Sequence, residues 1–188
     1  MTNASLHALL RRLYKSLRDE MKRRFKRHVS LGDLLTDRWE TAAHYGFGEG
    51  TSCYDNVLIL GDVQVGARCW IGPNVVLDGT GGLIIGDDCT IGTGSQIYSH
   101  STVPDAATTR DHDRPTRTAE TRLEDGAFLA PQVIVEMGVT IGEDAVIGAM
   151  SFVNRDVPRG ARAWGVPARV QTGRVETPET SHNQKNRK

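Results

Sequence analysis

Aliphatic residues fall on every sixth position over much of the chain: Ile59, Val65, Ile71 and Leu77, then Ile85, Ile91, Ile97 and Val103, then Leu123, Leu129, Val135, Ile141, Ile147 and Val153. Most are followed four residues later by a small or β-branched side chain, as at Val63, Cys69, Val75, Cys89, Ser95, Ala127, Val133, Ala145 and Ser151. A period of six matches neither the 3.6 of a helix nor the alternation of a strand, so it signals a higher-order repeat. Each hexad reads as one short strand plus one bend, and three hexads close one triangular turn of a coil. Asp62, Asn74, Asp88, Gly94, Gly126, Gly138, Asp144 and Asp156 stand three residues after the aliphatic position. These residue types tolerate the left-handed backbone that a tight corner requires.

Two breaks interrupt the beat. It slips by two residues at Gly79 to Gly82, and it is abandoned over residues 104–122 before Leu123 restores it. The longer excursion is polar and rich in Thr, Asp and Arg, so the pattern predicts an outward loop on the repeat domain of residues 57–170. Ahead of the coil, Leu6, Leu9, Leu10, Leu13, Leu17, Met21 and Phe25 recur at helical spacing, which predicts an amphipathic helix within residues 1–28. Residues 29–56 read as a helical connector, with a capping signal at Ser30 and Asp33 and a stop at Gly46, Gly48 and Gly50. The tail, residues 171–188, carries almost no apolar side chains and is expected to be mobile.

Composition narrows the setting. A chain of 188 residues supplies one core domain plus appendages. Its 23 basic and 23 acidic residues cancel, which removes any global electrostatic argument for nucleic acid. The balance is uneven, because residues 1–28 hold nine Lys or Arg against Asp19 and Glu20. A basic helix with an apolar stripe suits either a protein neighbour or peripheral contact with an anionic membrane surface. No apolar run reaches the roughly 18 residues of a membrane span, and the N-terminus lacks a signal-peptide core. Three cysteines are too few for a disulfide framework, and Cys69 and Cys89 occupy inward hexad slots while Cys53 falls in the connector. A cytoplasmic location is expected, at the inner membrane face if the helix takes lipid.

His100 is the residue type most suited to chemistry. It occupies a corner slot three after Ile97 and directly before the ejected loop, where its ring can face a cleft. Imidazole supplies a general base near neutral pH without heavy tuning. The alternative is a corner histidine hydrogen-bonded to the next coil. Asp111, His112 and Asp113 in the loop suit either an acceptor or plain solvent. A zinc site would need about three imidazoles, and only His100 and His112 lie in or beside the hexads.

The stretches at residues 85–100 (IGDDCTIGTGSQIYSH) and 129–169 (LAPQVIVEMGVTIGEDAVIGAMSFVNRDVPRGARAWGVPAR) resemble the hexapeptide-repeat acyltransferases, the group that contains galactoside, maltose and chloramphenicol acetyltransferases. Within that group the chain is most similar to the sugar O-acetyltransferases of bacterial surface-polysaccharide biosynthesis. The resemblance covers roughly residues 40–172 and implies an all-β, left-handed parallel β-helix with an N-terminal helical extension, assembled as a homotrimer. It further implies acetyl coenzyme A as co-substrate, no metal, and active sites between neighbouring subunits. The implied reaction is direct acetyl transfer to a hydroxyl of a sugar or glycan precursor, with His100 as base and Asn74 on the acceptor. Asn74 is also an ordinary corner residue. For the donor, the matching positions are Ala130, whose neighbour Pro131 has no N–H, the backbone of Ala149, and Asn154, Arg155 and Arg169. Phe128 takes the place of an aromatic near the thioester or packs outward on a neighbour, and Trp164 and Pro167 could flank the adenine or cover the coil's end. Two other readings use the same coil: N-acylation of a nucleotide-linked amino sugar, and a non-catalytic trimeric scaffold.

Overall fold

The computed structural model describes residues 3–102 and 116–171. Three helices come first: α1 (Asn3–Phe25), α2 (Gly32–Leu35) and α3 (Arg38–His44). The connector is therefore two helices rather than one. The effective N-cap is Asp37, whose carboxylate accepts from the Trp39 and Glu40 amides while the Glu40 side chain accepts from the Asp37 amide. The Ser30 hydroxyl donates to the Asp33 carboxylate at 2.8 Å across the start of α2. Ala42 of α3 and Phe47 after it are buried against the first turn of the coil and close its end.

The coil begins with β1 (Ser52–Cys53), five residues before the sequence pattern places it. Cys53 lies six residues before Ile59 and fills the inward slot of the beat, fully buried and paired beside Ile71, so it belongs to the coil and not to the connector. Successive turns are built by β2 (Leu58–Val65), β3 (Trp70–Ile71), β4 (Val76–Ile85), β5 (Thr90–Ile91) and β6 (Gln96–Ile97). The chain then leaves as β7 (His100–Ser101), pairs antiparallel with β8 (Arg117–Thr118), and returns as β9 (Thr121–Leu123). Further turns follow in β10 (Phe128–Leu129), β11 (Ile134–Val135), β12 (Thr140–Ile141), β13 (Val146–Ile147) and β14 (Phe152–Val153). An antiparallel hairpin of β15 (Arg162–Gly165) and β16 (Ala168–Val170) ends the described chain.

Parallel ladders one turn apart define three faces. The first stacks β1, β3, β5, β10, β13 and β15. The second stacks the opening halves of β2 and β4 on β6, β11 and β14. The third stacks the closing halves of β2 and β4 on β9 and β12, with a bridge to Val157. The molecule is thus a left-handed parallel β-helix of about five turns.

The aliphatic beat supplies its interior: Ile71, Leu77, Ile91, Ile97, Leu123, Leu129, Val135, Ile141 and Ile147 are all 0% exposed. Each such side chain contributes about 1.5–3 kcal/mol relative to exposure.

The corners follow the expectation at Asn74, Asp88, Gly94, Gly126, Gly138 and Asp144, which all have positive φ. Asp62 and Asp156 do not, because that corner is turned differently: Gly61 takes the left-handed position beside Asp62, and Asp156 spends its carboxylate on the Thr140 amide. Arg68, Gln132 and Met150 fill the same slot with positive φ in spite of a Cβ.

Helix α1 is the exception to this packing. Leu6, Leu9, Leu10 and Leu13 are each about half exposed, so the stripe is not covered by the other described residues. No helix among the described residues is long and apolar enough to cross a membrane.

Candidate active site

His100 stands where the second face turns toward the third, at the start of the β7–β8 pair. Its position is set from both sides. The Tyr98 amide donates to the Val135 carbonyl and the Thr121 hydroxyl donates to the Tyr98 carbonyl at 2.7 Å, while the Ala119 amide donates to the Ser99 carbonyl. The β7–β8 ladder then pairs His100 with Thr118.

The second member of the site is Asp78, which the sequence reading did not pick out. His100 Nδ1 lies 2.5 Å from Asp78 Oδ2, and Asp78 is 0% exposed. The carboxylate is surrounded by donors. Oδ2 also accepts from the amides of Ser99 and His100 at 3.0 and 3.2 Å, and Oδ1 accepts from the Thr80 amide and hydroxyl at 3.0 and 2.5 Å. Burial by itself would raise the Asp78 pKa, but the hydrogen bonds from Thr80, Ser99 and His100 outweigh it and hold the carboxyl below its usual range. The carboxylate therefore stays ionised and can only accept, so Nδ1 carries the proton they share, and in the neutral form of the ring the lone pair sits on Nε2. The imidazole side chain is 31% exposed, so Nε2 can meet a ligand.

The signal for Asp78 was the two-residue slip at Gly79 to Gly82. Between the Gly61–Gly79 and Val63–Leu83 pairs, β4 carries two more residues than β2, and this bulge brings the Asp78 carboxylate under the next turn. Gly81 completes the bulge: its amide donates to Ser99 Oγ at 2.8 Å, and a Cβ there would sit 2.4 Å from the Ser99 carbonyl oxygen.

The other expected residues divide between two edges of the prism. Asn154 and Arg155 follow Val153 on the His100 edge, two turns away, which is about 10 Å at the usual strand spacing. Asn154 Oδ1 is buried and accepts no hydrogen bond among the described residues. Asn74, Ala130 and Ala149 instead stack along the corner between the first and second faces. Asn74 is exposed with φ +58° and accepts from Asn56 Nδ2 at 2.8 Å. The Ala130 amide donates to the Ile147 carbonyl at 3.0 Å, so the ladder already uses its proton. Ala149 is exposed in a turn beside Met150. A groove of about 490 Å³ runs along this edge and the second face, lined by Gln96, Ile134, Met150, Phe152 and Val166.

Arg169 lies on the terminal hairpin opposite Trp164, and both are exposed. Phe128 is 41% exposed on the first face and Pro167 is exposed in the hairpin turn. Asp111, His112 and Asp113 lie outside the described residues. Among the described residues no three His, Cys, Asp or Glu side chains gather as a metal site.

Comparison with known proteins now bears on this geometry. The hexapeptide repeat of succinyl-transferase matches residues 62–99 and 121–155, the coil on either side of the ejected loop. A galactoside O-acetyltransferase of Lactococcus lactis is 30% identical over 128 residues, covering 66% of this chain and 51% of that protein. A serine acetyltransferase of Bacillus licheniformis is 29% identical over 123 residues, covering 64% of this chain and 53% of that one. The chain spans about half the length of these curated relatives, and less of some others. Among solved structures, a hexapeptide-repeat-containing acetyltransferase from Vibrio cholerae superposes with a TM-score of 0.60 at 26% identity, covering 85% of this chain and 91% of that one.

Proposed function

The chain belongs to the hexapeptide-repeat acyltransferase family, and on that premise we propose that it is an acetyl-coenzyme A-dependent O-acetyltransferase acting on a hydroxyl of a sugar or glycan precursor. The observation that carries the reading is the Asp78–His100 pair, a partly exposed imidazole backed by a fully buried carboxylate. In this reading His100 Nε2 takes the acceptor hydroxyl's proton as that oxygen bonds to the acetyl carbonyl carbon. The same nitrogen returns the proton to sulfur as the carbon–sulfur bond breaks. Asp78 stabilises the transient imidazolium and holds its ring in place without itself taking the proton.

Direct transfer is favoured over a covalent acyl-enzyme. Cys53, Cys69 and Cys89 are all buried, and burial first, then Asp33 and Asp55, push the Cys53 thiol up to about 12.

For the donor, Asn154 is the best supported contact. Its orphaned buried Oδ1 suits an amide N–H of the pantetheine arm, on the same edge as His100. Arg155 and Arg169 would pair phosphates, and the Ala149 backbone would meet the arm where it crosses the other edge. The two edges bear on assembly. Since His100 and Asn74 stand on different corners of one prism, a site that uses both draws them from neighbouring copies, which supports a homotrimer with its active sites at the seams. The cytoplasm, where acetyl coenzyme A is available, is the setting this chemistry requires.

The test is release of free thiol from acetyl coenzyme A, followed with a thiol-reactive dye in the presence and absence of candidate sugars. Wild type should show acceptor-dependent release, and His100→Ala should lower turnover by roughly 100-fold or more with donor affinity unchanged. A fully active His100→Ala protein, or no calorimetric binding of coenzyme A, would reject the assignment and favour a scaffold.

A further inference from the structure

Three cavities meet where α1 ends. The first, about 730 Å³, lies along α1 and the turn after it, with Tyr14, Arg18, Lys22 and Arg27 on its wall. The second, about 680 Å³, runs from Tyr14 and Arg27 past Tyr54 to Asn56 and Pro73. The third, about 350 Å³, branches from Arg27 and Tyr54 to Phe25 and Trp39. Arg27 lines all three, so they form one forked groove. The fork exists because Lys26 takes a left-handed conformation (φ +53°), which ends α1 and turns the following residues back beside it.

The chemistry differs along the three arms. Tyr14, Arg18 and Lys22 are one helical turn apart and share a stripe of α1, with the Arg18 guanidinium 5.4 Å from the Tyr14 ring centre. Five cations line this first arm against one carboxylate, Asp19. Arg24 is paired with Glu20, but among the described residues Arg18, Lys22 and Arg27 have no carboxylate partner. Asp33, which lines both other arms, already accepts from the Ser30 hydroxyl and the Asp55 amide, and Asp37 on the third arm is taken by the Trp39 and Glu40 amides. Unneutralised cations converging on one concavity are a site for a multiply charged anion.

The third arm is aromatic and open: Phe25 and Trp39 are 54% and 51% exposed, and the Arg38 guanidinium lies 5.0 Å from the Trp39 ring and 4.9 Å from that of Tyr54. The second arm ends at Asn56, whose side chain bonds Asn74, the residue proposed for the acceptor.

We infer that this groove binds the acceptor as a diphosphate ester, with the sugar toward Asn56 and Asn74, the diphosphate at Arg27, Arg18 and Lys22, and the group beyond it in the Phe25–Trp39 arm. A nucleoside and an isoprenyl chain both satisfy that third arm, since an aromatic wall takes either a flat base or a hydrocarbon. The inference rests on the proposed acyl transfer and names its substrate class.

Calorimetry on the full chain tests it with five probes: uridine diphosphate, farnesyl diphosphate, inorganic pyrophosphate, coenzyme A and vesicles of anionic phospholipid. One of the two organic diphosphates should bind more tightly than pyrophosphate, and which one does so identifies the group in the third arm. Arg27→Glu should weaken that binding by about ten-fold or more, the scale of a lost charge-assisted contact, and Trp39→Ala should reduce its advantage over pyrophosphate. Coenzyme A affinity should stay at the wild-type value in both variants. The inference is overturned if neither organic diphosphate binds at millimolar concentration, if Arg27→Glu weakens coenzyme A equally, or if the chain binds only vesicles of anionic phospholipid. In each of these cases His100-dependent cleavage of acetyl coenzyme A would persist if the acyltransferase reading itself is sound, which separates the two failures.

Discussion

His100 Nδ1 and Asp78 Oδ2 lie 2.5 Å apart across two adjacent turns of the coil, and the same carboxylate oxygen also accepts the backbone amide of His100. One side chain thus holds both the ring and the main chain of the proposed base. Asn cannot reproduce this arrangement, because both Asp78 oxygens face donors and an amide would turn its NH2 toward one set of them. Asp78→Asn should therefore lower turnover by roughly 10⁴-fold, the scale seen when a catalytic histidine loses its orienting carboxylate. The Michaelis constant for acetyl coenzyme A should change little, and steady-state kinetics with varied donor would check that split. A large rise in that constant at unchanged turnover would remove Asp78 from its positioning role.

The same carboxylate leaves a mark on stability. Its pKa is depressed in the folded state relative to an unfolded value of about 3.9, so the unfolded chain binds the proton more readily. The contribution is fully present above the unfolded value and is lost as pH falls through the folded one. Thermal unfolding of wild type and Asp78→Asn should accordingly differ by a constant margin above about pH 5 and converge as the pH drops below about 4. A margin independent of pH down to the acid limit would contradict the assigned shift.

Gly81 offers a test of geometry that leaves both charged groups in place. A methyl at this position meets the Ser99 carbonyl oxygen at 2.4 Å and the Ala119 amide nitrogen at 2.9 Å, and neither is the end of a flexible side chain. Gly81→Ala should push the Ser99–His100 segment away from the bulge and lower turnover by about ten-fold or more, since errors near 1 Å in catalytic position are costly. Circular dichroism should remain that of the intact coil, because the core positions are untouched. Wild-type turnover in Gly81→Ala would mean that the bulge does not fix the histidine.

The coil was legible because burial repeats a constraint: the inward slot recurs at every face, and one hydrophobic type fills it from Val65 to Val153. Its start was misplaced because Cys53 fills that slot without being aliphatic. His100 could be found from its place at a corner beside a loop, yet Asp78 could not. Tyr98, Glu136 and Asn154, which likewise follow an inward residue on the second face, are not buried, so nothing local marks Asp78 as interior. Only the bulge turns it inward, and its consequence appears 22 residues away. Ala130 illustrates the opposite limit: sequence identifies the strand, but whether its amide is already bonded depends on the next turn. Helix α1 was likewise predicted from its stripe, while the exposure of that stripe emerges only when the chain is folded alone.

Assembly can be tested without knowing the acceptor's identity in advance of the screen. Within one prism His100 and Asn74 occupy different corners, so a site at a seam would take one from each of two copies. Asn74 has φ +58°, and Asn74→Gly removes the amide while keeping a residue at ease in that conformation. His100→Ala and Asn74→Gly chains should each be impaired alone. Unfolded together in equal amounts and refolded, they should recover about a quarter of wild-type activity, because random mixing in a closed ring gives each seam both intact partners with that frequency. If one chain supplied both residues to its own site, no mixed assembly could hold an intact pair and no activity would return. Light scattering on the same samples would establish that the mixed species is trimeric, and recovery at a monomeric mass would refute the seam.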